Sequence, residues 1–384
     1  MRRMPRIEFV YFDAGGGHRS AATSLKSVIE SRKLPWQVNL FNLQEQLDAL
    51  DFVRGLTRVR MQDVYNLMLR RGWTLGSTHI MRLLQRTIRL YHPLLVRRLA
   101  RVWKERQPDL VVSFVPHFNR ALGESLQNAH PAVPFVTLLT DLADFPPHFW
   151  IERQPQYLIC GTQRAVEQAR AAGHPEAHIF RASGMILNSK FYDAPKVDWA
   201  VERRRLGLHP ERPTGLVLFG GYGAAAMLEI AERLETSHLP VQLIFICGKN
   251  EKLAEKLRHR PSRQPRFVEG FTAEVPYYMR LADFFLGKPG PGSISEALAM
   301  SLPVVVERNA WTLPQERYNA QWVRENGFGL VVRSWKNVNA AVEHLLEPSK
   351  FEATHRAVSA VQNRAVFEIP DMLGRILDSG SGLG

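Results

Sequence analysis

Short apolar runs recur along the chain, each stopped by a glycine- or proline-rich turn and followed by residues at helical spacing. Residues 6–12 read as a first strand that runs into Asp13-Ala14-Gly15-Gly16-Gly17-His18, with a helix from 19 to about 31. Segments 109–114, 134–140 and 156–161 read as three more strands, and 56–72 and 77–106 as helices. In the second helix Ile80, Leu83, Leu84, Ile88, Tyr91, Leu94, Leu95 and Leu99 form a core-facing stripe. Arg82, Arg86, Arg89, Arg97, Arg101 and Lys104 fall largely on another face, and Pro93 is expected to break or kink the helix. From 214 the rhythm starts again, with strands at 214–219, 241–247, 266–271, 284–286 and 303–306. Strand, glycine turn and helix in alternation is the pattern of a parallel sheet, and it occurs twice: an α/β chain with two Rossmann-like units in tandem. Residues 182–213, with Asn188, Pro195 and Pro210, read as the connection between them.

A length of 384 residues is enough for two domains, each burying its own core. The expected division is 1–188, 189–360, and a C-terminal helix with a flexible tail over 361–384, where Ser379-Gly380-Ser381-Gly382 reads as disordered. The two cysteines, Cys160 and Cys247, stand in apolar runs, which argues against a disulfide framework and for a reducing cytoplasm. The basic Met1–Pro5 segment precedes too short an apolar run for a signal peptide, and no run has the length of a membrane span.

Charge changes the picture more than composition does. The formal net charge is +13, and residues 1–190 carry 26 Lys and Arg against 15 Asp and Glu, while 191–384 carry 24 against 22. Within 54–106 there are 13 basic residues opposed only by Asp63 and Glu105. That asymmetry points the first half toward a polyanion, either nucleic acid or an anionic membrane surface. Aromatics are not interleaved with the basic run in a stacking pattern, which favours the membrane.

Three stretches carry candidate chemistry. Residues 287–299, Gly-Lys-Pro-Gly-Pro-Gly-Ser-Ile-Ser-Glu-Ala-Leu-Ala, lie between two strands, so bare backbone N–H groups and a helix N-terminus face one place suited to a phosphate. Glu296 then lies where a ribose diol would dock; an ordinary connection with a surface Glu has the same pattern. His18 follows three glycines at a strand tip, in the crevice where open α/β sheets bind ligands, although a helix-capping role fits the same position. The spacing there is not GxGxxG with a later ribose acid, so a nicotinamide or flavin site is poorly supported. Asp141 and Asp144, in the segment 140–150, are not in a DxD arrangement. They suit acceptor binding, base chemistry, or simple termination of the strand.

Residues 287–299 with Leu302-Pro303 and Gln315-Glu316 resemble the donor site of glycosyltransferase family 28. Residues 13–20, Thr140-Asp141-Leu142, Ile246-Cys247-Gly248-Lys249-Asn250 and Glu269-Gly270-Phe271 narrow the resemblance to its monogalactosyldiacylglycerol synthase and processive diacylglycerol glucosyltransferase branch, over about residues 6–330. The resemblance implies a GT-B fold, two Rossmann-like domains facing each other across a cleft, with the acceptor held by the first and a UDP-sugar by the second. It implies that Gly220, Gly221, Gly223, Gly290, Gly292 and Ser293 cradle the diphosphate, that Phe271 lies beside the base, that Glu296 binds ribose, and that Gln315 and Glu316 hold the sugar. Gly16, Gly17, His148 and Trp150 fall on the acceptor side. The chain departs from the family in three places: His148 and Trp150 are displaced by about a residue behind Phe145-Pro146-Pro147, Glu152 stands near where the pattern has a further His, and the acid of the family's glycine loop is replaced, giving Gly220-Gly221-Tyr222-Gly223-Ala224.

The expectation is therefore an inverting transfer of a hexose from a UDP-sugar to the hydroxyl of a diacylglycerol-like lipid. His18 would be the base, with Asp141 or Asp13 as its orienter or substitute, and no catalytic metal is expected. The protein would sit in the cytoplasm, peripherally bound to the inner face of the cell membrane. A soluble GT-B enzyme with a non-lipid acceptor, or a UDP-sugar 2-epimerase, is the alternative.

Overall fold

A computed structural model describes residues 3–13, 17–48, 77–193 and 197–381. Gly16 and the helix expected over 56–72 lie outside the described residues, as do the side chains of 77–90. Twelve strands among the described residues form two six-stranded sheets, and every strand pair is parallel. The first contains β1 (Arg6–Tyr11), β2 (Gln37–Asn42), β3 (Leu110–Ser113), β4 (Phe135–Leu138), β5 (Tyr157–Cys160) and β6 (Ile179–Arg181) in the order β2-β1-β3-β4-β5-β6. The second contains β7 (Thr214–Leu218), β8 (Gln242–Ile246), β9 (Arg266–Glu269), β10 (Phe284–Gly287), β11 (Val304–Glu307) and β12 (Gly329–Val332) in the order β12-β11-β10-β7-β8-β9.

Each sheet reverses its winding direction once. In the first, β2 lies on one side of β1 and β3 on the other; in the second, β8 and β10 flank β7 in the same way. At such a reversal the connections leave in opposite directions and open a crevice at the carboxyl ends of two neighbouring strands. The second crevice is narrow at its base because β7 and β10 approach closely. A Cβ on Gly287 would lie 2.4 Å from the Leu218 carbonyl, so only glycine lets these strands pair there.

The described residues fall into two units, the first holding those up to Ser189 and those from Asn363 onward, the second Lys190–Gln362. In the first unit Leu95, Leu99 and Trp103 of the helix Ser77–Arg106 are buried against Val10, Val111 and Leu122. That helix runs through Pro93 without a break. Leu94, expected in the apolar stripe, is 49% exposed.

The last helix, Ala365–Ser381, belongs to this first unit and reaches through Ser381, so the expected disorder does not begin at Ser379. It buries Val366, Ile369, Leu373 and Ile376. Polar side chains tie its start to the first unit: Ser183 accepts from the Arg364 amide at 2.7 Å, its own amide donates to Glu368 at 2.8 Å, and Asn363 donates to the Met185 carbonyl at 2.8 Å. Ser379 holds the last turn by donating to the Ile376 carbonyl at 2.9 Å.

In the second unit the expected connection 182–213 contains a helix, Trp199–Arg205, opened by Asp198 accepting from the Ala200 and Val201 amides. Arg203 staples that helix to the sheet. It is 4% exposed, donates to the Leu281 and Pro210 carbonyls at 2.9 Å each, and pairs at 2.9 Å with Asp283, which also accepts from the Thr214 amide. Removing the guanidinium strands two carbonyls and a carboxylate at once. Arg203→Ala should therefore lower unfolding free energy by roughly 3 kcal/mol, the scale of a broken buried ion pair, measured by urea denaturation. A loss within about 0.5 kcal/mol, as for an ordinary surface substitution, would contradict this role.

Candidate active site

The first-unit site is built at the carboxyl ends of β1, β3 and β4. Gly17 and His18 open the helix Gly17–Ser31 directly after β1. The His18 Nδ1 lies 3.0 Å from the Thr140 hydroxyl, which follows β4, and its ring centroid is 5.9 Å from that of Trp150. Burial lowers the His18 pKa to about 4, against a smaller opposing effect of the Phe114 carbonyl beyond β3, so the imidazole is neutral at pH 7.

Asp141 and Asp13 were the expected orienters or substitutes for His18. Thr140 occupies Nδ1, while Asp13 forms a surface pair with Arg19 at 3.1 Å. Asp141 is buried and accepts the Trp150 indole N–H at 2.8 Å. It thereby fixes the ring that stands beside His18, a supporting part for which indole hydrogen bonding suffices.

Asp144 organises the loop that follows. Its carboxylate accepts from the His148 amide at 3.0 Å and the Trp150 amide at 2.6 Å, and Gln168 brackets its backbone at 2.8 and 2.9 Å. Burial raises the Asp144 pKa and those amides oppose the rise. Among the three roles open to Asp144, these bonds match a loop-building one. His148 sits at a left-handed bend, φ 62°, exposed but with its Nδ1 3.3 Å from the Ile151 carbonyl, while Trp150 is buried.

Sequence reasoning missed His117. It follows β3 as His18 follows β1, has φ 65°, and stacks edge-on against Phe149 at 4.2 Å. Burial lowers its pKa to about 4, and its Nε2 is enclosed with no hydrogen-bond partner among the described residues. The available signal was its place after a strand, Pro116-His117, at the reversal point.

The second-unit site lies at the ends of β7, β8, β9 and β10. Gly220, Gly221 and Gly223 follow β7, and the turn 288–290 follows β10. On the other side of β7, Gly248 after β8 has φ 58°, and a Cβ there would stand 2.3 Å from the Gly221 carbonyl, so glycine is required for the loops after β7 and β8 to meet. The helix Pro291–Ala299 begins at Gly290 with no side-chain cap, and Gly292 is exposed with open space around it. Its first-turn amides, including that of Ser293, point out of the helix end as donors for an anion. Asn319 fixes the turn by donating to the Pro289 carbonyl at 2.9 Å.

Glu296 is half-buried, and burial pushes its pKa up to about 7; among the described residues its carboxyl has no hydrogen-bond or ion-pair partner. Glu316 is engaged instead, pairing with Lys288 at 2.8 Å, and the Gln315 amide oxygen is enclosed without a partner. Phe271 is 67% exposed, and the Lys249 ammonium stands 5.4 Å from its ring and 6.0 Å from that of Tyr222. Lys288 and Lys249 are the polar members of this site that motif reading passed over.

Two Rossmann-like units with glycine-lined reversal points define the class: a GT-B fold. Solved structures agree. The UDP co-structure of S. aureus MnaA is similar with a TM-score of 0.63 at 16% identity, covering 98% of this chain and 97% of that one. MurG of Acinetobacter baumannii gives 0.60 at 14% identity, covering 97% and 99%.

Residues 18–183 match the monogalactosyldiacylglycerol (MGDG) synthase family and residues 216–367 the glycosyltransferase family 28 C-terminal domain. The chain is 26% identical to monogalactosyldiacylglycerol synthase 1 of Arabidopsis thaliana, covering 96% of this chain and 70% of that one. It is also 26% identical to the corresponding synthase of Spinacia oleracea, covering 95% and 71%. With one half matching the MGDG synthase model and the other the family 28 C-terminal domain, the chain is a UDP-sugar-dependent glycosyltransferase.

The Glu296 pKa has a consequence for stability. A carboxyl whose folded pKa exceeds its unfolded value of 4.5 makes the folded state bind more protons between those values, so its contribution falls as pH rises from 4.5 through about 7. Glu296→Gln should stabilise the empty protein more at pH 8 than at pH 5 in urea titrations. An equal effect at both pH values would show that the carboxyl is not held out of water.

Proposed function

We propose that the protein is an inverting glycosyltransferase that moves a hexose from a UDP-sugar to the hydroxyl of a diacylglycerol-type lipid at an anionic membrane surface. The observation that carries the mechanism is the His18 imidazole held through Nδ1 by the Thr140 hydroxyl at 3.0 Å, with burial lowering its pKa and so favouring the neutral ring. In the proposed reaction the acceptor oxygen attacks the anomeric carbon opposite the diphosphate, and His18 Nε2 takes the hydroxyl proton as the new glycosidic bond forms.

In the second unit the diphosphate is received by the amides of the loops at 220–223 and 290–293. The helix N-terminus meets the charge that grows as the sugar–phosphate bond breaks, without a divalent ion. Glu296 takes the ribose hydroxyls, for which an unpartnered carboxylate is suited, and exposed Phe271 offers a face to the base. Gln315 and Glu316 receive the sugar.

The lipid side is supported by names and by charge. The relatives in Arabidopsis thaliana and Spinacia oleracea are described as monogalactosyldiacylglycerol synthases. On the helix Ser77–Arg106, exposed Leu94, Arg97, Arg101 and Lys104 recur at helical spacing on one face, a cationic stripe with an apolar member suited to lipid headgroups. Among the described residues no helix is long and apolar enough to cross a membrane. The proposed station is the inner face of the cell membrane, reached from the cytoplasm.

UDP release from a UDP-hexose should require vesicles containing diacylglycerol, persist in EDTA, and fall by about 100-fold or more in His18→Ala while UDP-hexose binding is retained. Near-normal turnover of that variant would remove His18 from the role of base. Equal release without lipid would point to a soluble acceptor.

A further inference from the structure

Lys288 lies across the second crevice rather than along its wall. It directly follows Gly287, the last residue of β10, and its Cε is 3.6 Å from where a Cβ on Gly220 would stand and 3.3 Å from one on Gly290. The lysine therefore fills space left open by glycines on two different loops, those after β7 and after β10. Its ammonium is 2.8 Å from Glu316 Oε1; the Lys288 side chain is 42% exposed and that of Glu316 only 11%. The cation forms the outer partner and the carboxylate the inner one. Glu316 sits in the first turn of the helix Pro314–Glu325, whose start has no side-chain cap, and its Oε1 is also 3.7 Å from the missing Gly290 Cβ. Both charges border the place where the two glycine loops converge.

An anion entering this crevice meets the Lys288 ammonium and competes with Glu316 for it. The cost falls on Glu316. A mostly buried carboxylate that loses its cation needs hydrogen-bond donors in exchange, or it remains an uncompensated charge. A diphosphate brings none. A diphosphate that carries a hexose brings several hydroxyls, on the ring joined to the terminal phosphate through its anomeric oxygen.

We propose that Lys288 and Glu316 form an exchange pair that distinguishes the sugar nucleotide from the free nucleoside diphosphate. In the empty site they satisfy each other. With a UDP-sugar bound, Lys288 moves to the diphosphate and Glu316 to the sugar hydroxyls, so both charges are again matched. With UDP alone, Lys288 gains a partner only at the expense of Glu316. The pair thus weakens binding of the reaction's product relative to its substrate and favours UDP release after transfer. Lys288 touches the leaving group and is catalytic in that sense, while Glu316 positions it and sets specificity. The inference rests on the reading of the second unit as the donor site.

The test is calorimetric titration of the full chain, wild type, Glu316→Gln and Lys288→Gln, with UDP and with UDP-glucose, UDP-galactose and UDP-N-acetylglucosamine. Wild type should bind at least one UDP-hexose more tightly than UDP. In Glu316→Gln the ammonium is released from its competitor, so UDP should bind roughly tenfold tighter, the scale of one charged hydrogen bond, and the preference for the sugar nucleotide should shrink or reverse. In Lys288→Gln both ligands should weaken. If Glu316→Gln leaves the ratio of UDP-hexose to UDP affinity at the wild-type value, the exchange is wrong although the donor site stands. If wild type takes up neither UDP nor any UDP-hexose, the donor-site reading itself fails and the exchange with it.

Discussion

Everything in this molecule depends on the way a parallel sheet reverses its winding. Strand ends cannot pair their last backbone groups within the sheet, and at a reversal the two adjacent connections diverge, so those groups face open space. In the first sheet the reversal lies between β1 and β3, and in the second between β7 and β10. The second reversal is lined by glycine at its base, and each gathers groups that are costly to leave unmatched. The first holds two imidazoles kept neutral by burial. The second holds an uncapped helix start, a carboxyl without a partner among the described residues and an ion pair.

The two crevices divide the chemistry by electrostatics. Burial at the first removes positive charge from His18, leaving a proton acceptor beside a fixed tryptophan. The second gathers first-turn N–H dipoles and the Lys249 and Lys288 ammonium groups, with the carboxyls of Glu296 and Glu316 on the helices that follow β10 and β11. Such an arrangement suits a reaction in which one partner loses a proton and the other departs with negative charge. The buried residues Asp141, Asp144 and Asn119 serve the first crevice indirectly. Asn119 donates to the Trp150 carbonyl at 2.9 Å, so the loop carrying that ring is held from both sides.

The central strands were legible because they are covered on both faces and therefore read as uninterrupted apolar runs. β1, β3, β4, β5, β7, β8, β10 and β11 were all placed from that signal. The strands that escaped, β2, β6 and β12, stand at sheet edges, and their mixed burial leaves no continuous run. The glycine turns after β7 and β10 were legible because glycines that stop an apolar run mark a strand end, and Glu296 was legible as a position in the helix that follows β10. Thr140 and the Asp141–Trp150 bond were not, since which side chain meets His18 is set by how three strand ends converge, not by spacing along the chain. Lys288 stood in the open between quoted glycines, but its partner lies 28 residues away on another helix.

The most direct measurement is hydrogen exchange of backbone amides with and without UDP. The account predicts protection concentrated at 220–223, 248–250 and 290–293, with the carboxyl ends of β1 and β3 unchanged. Protection confined to the first sheet, or absent from both glycine loops while UDP is bound, would contradict it.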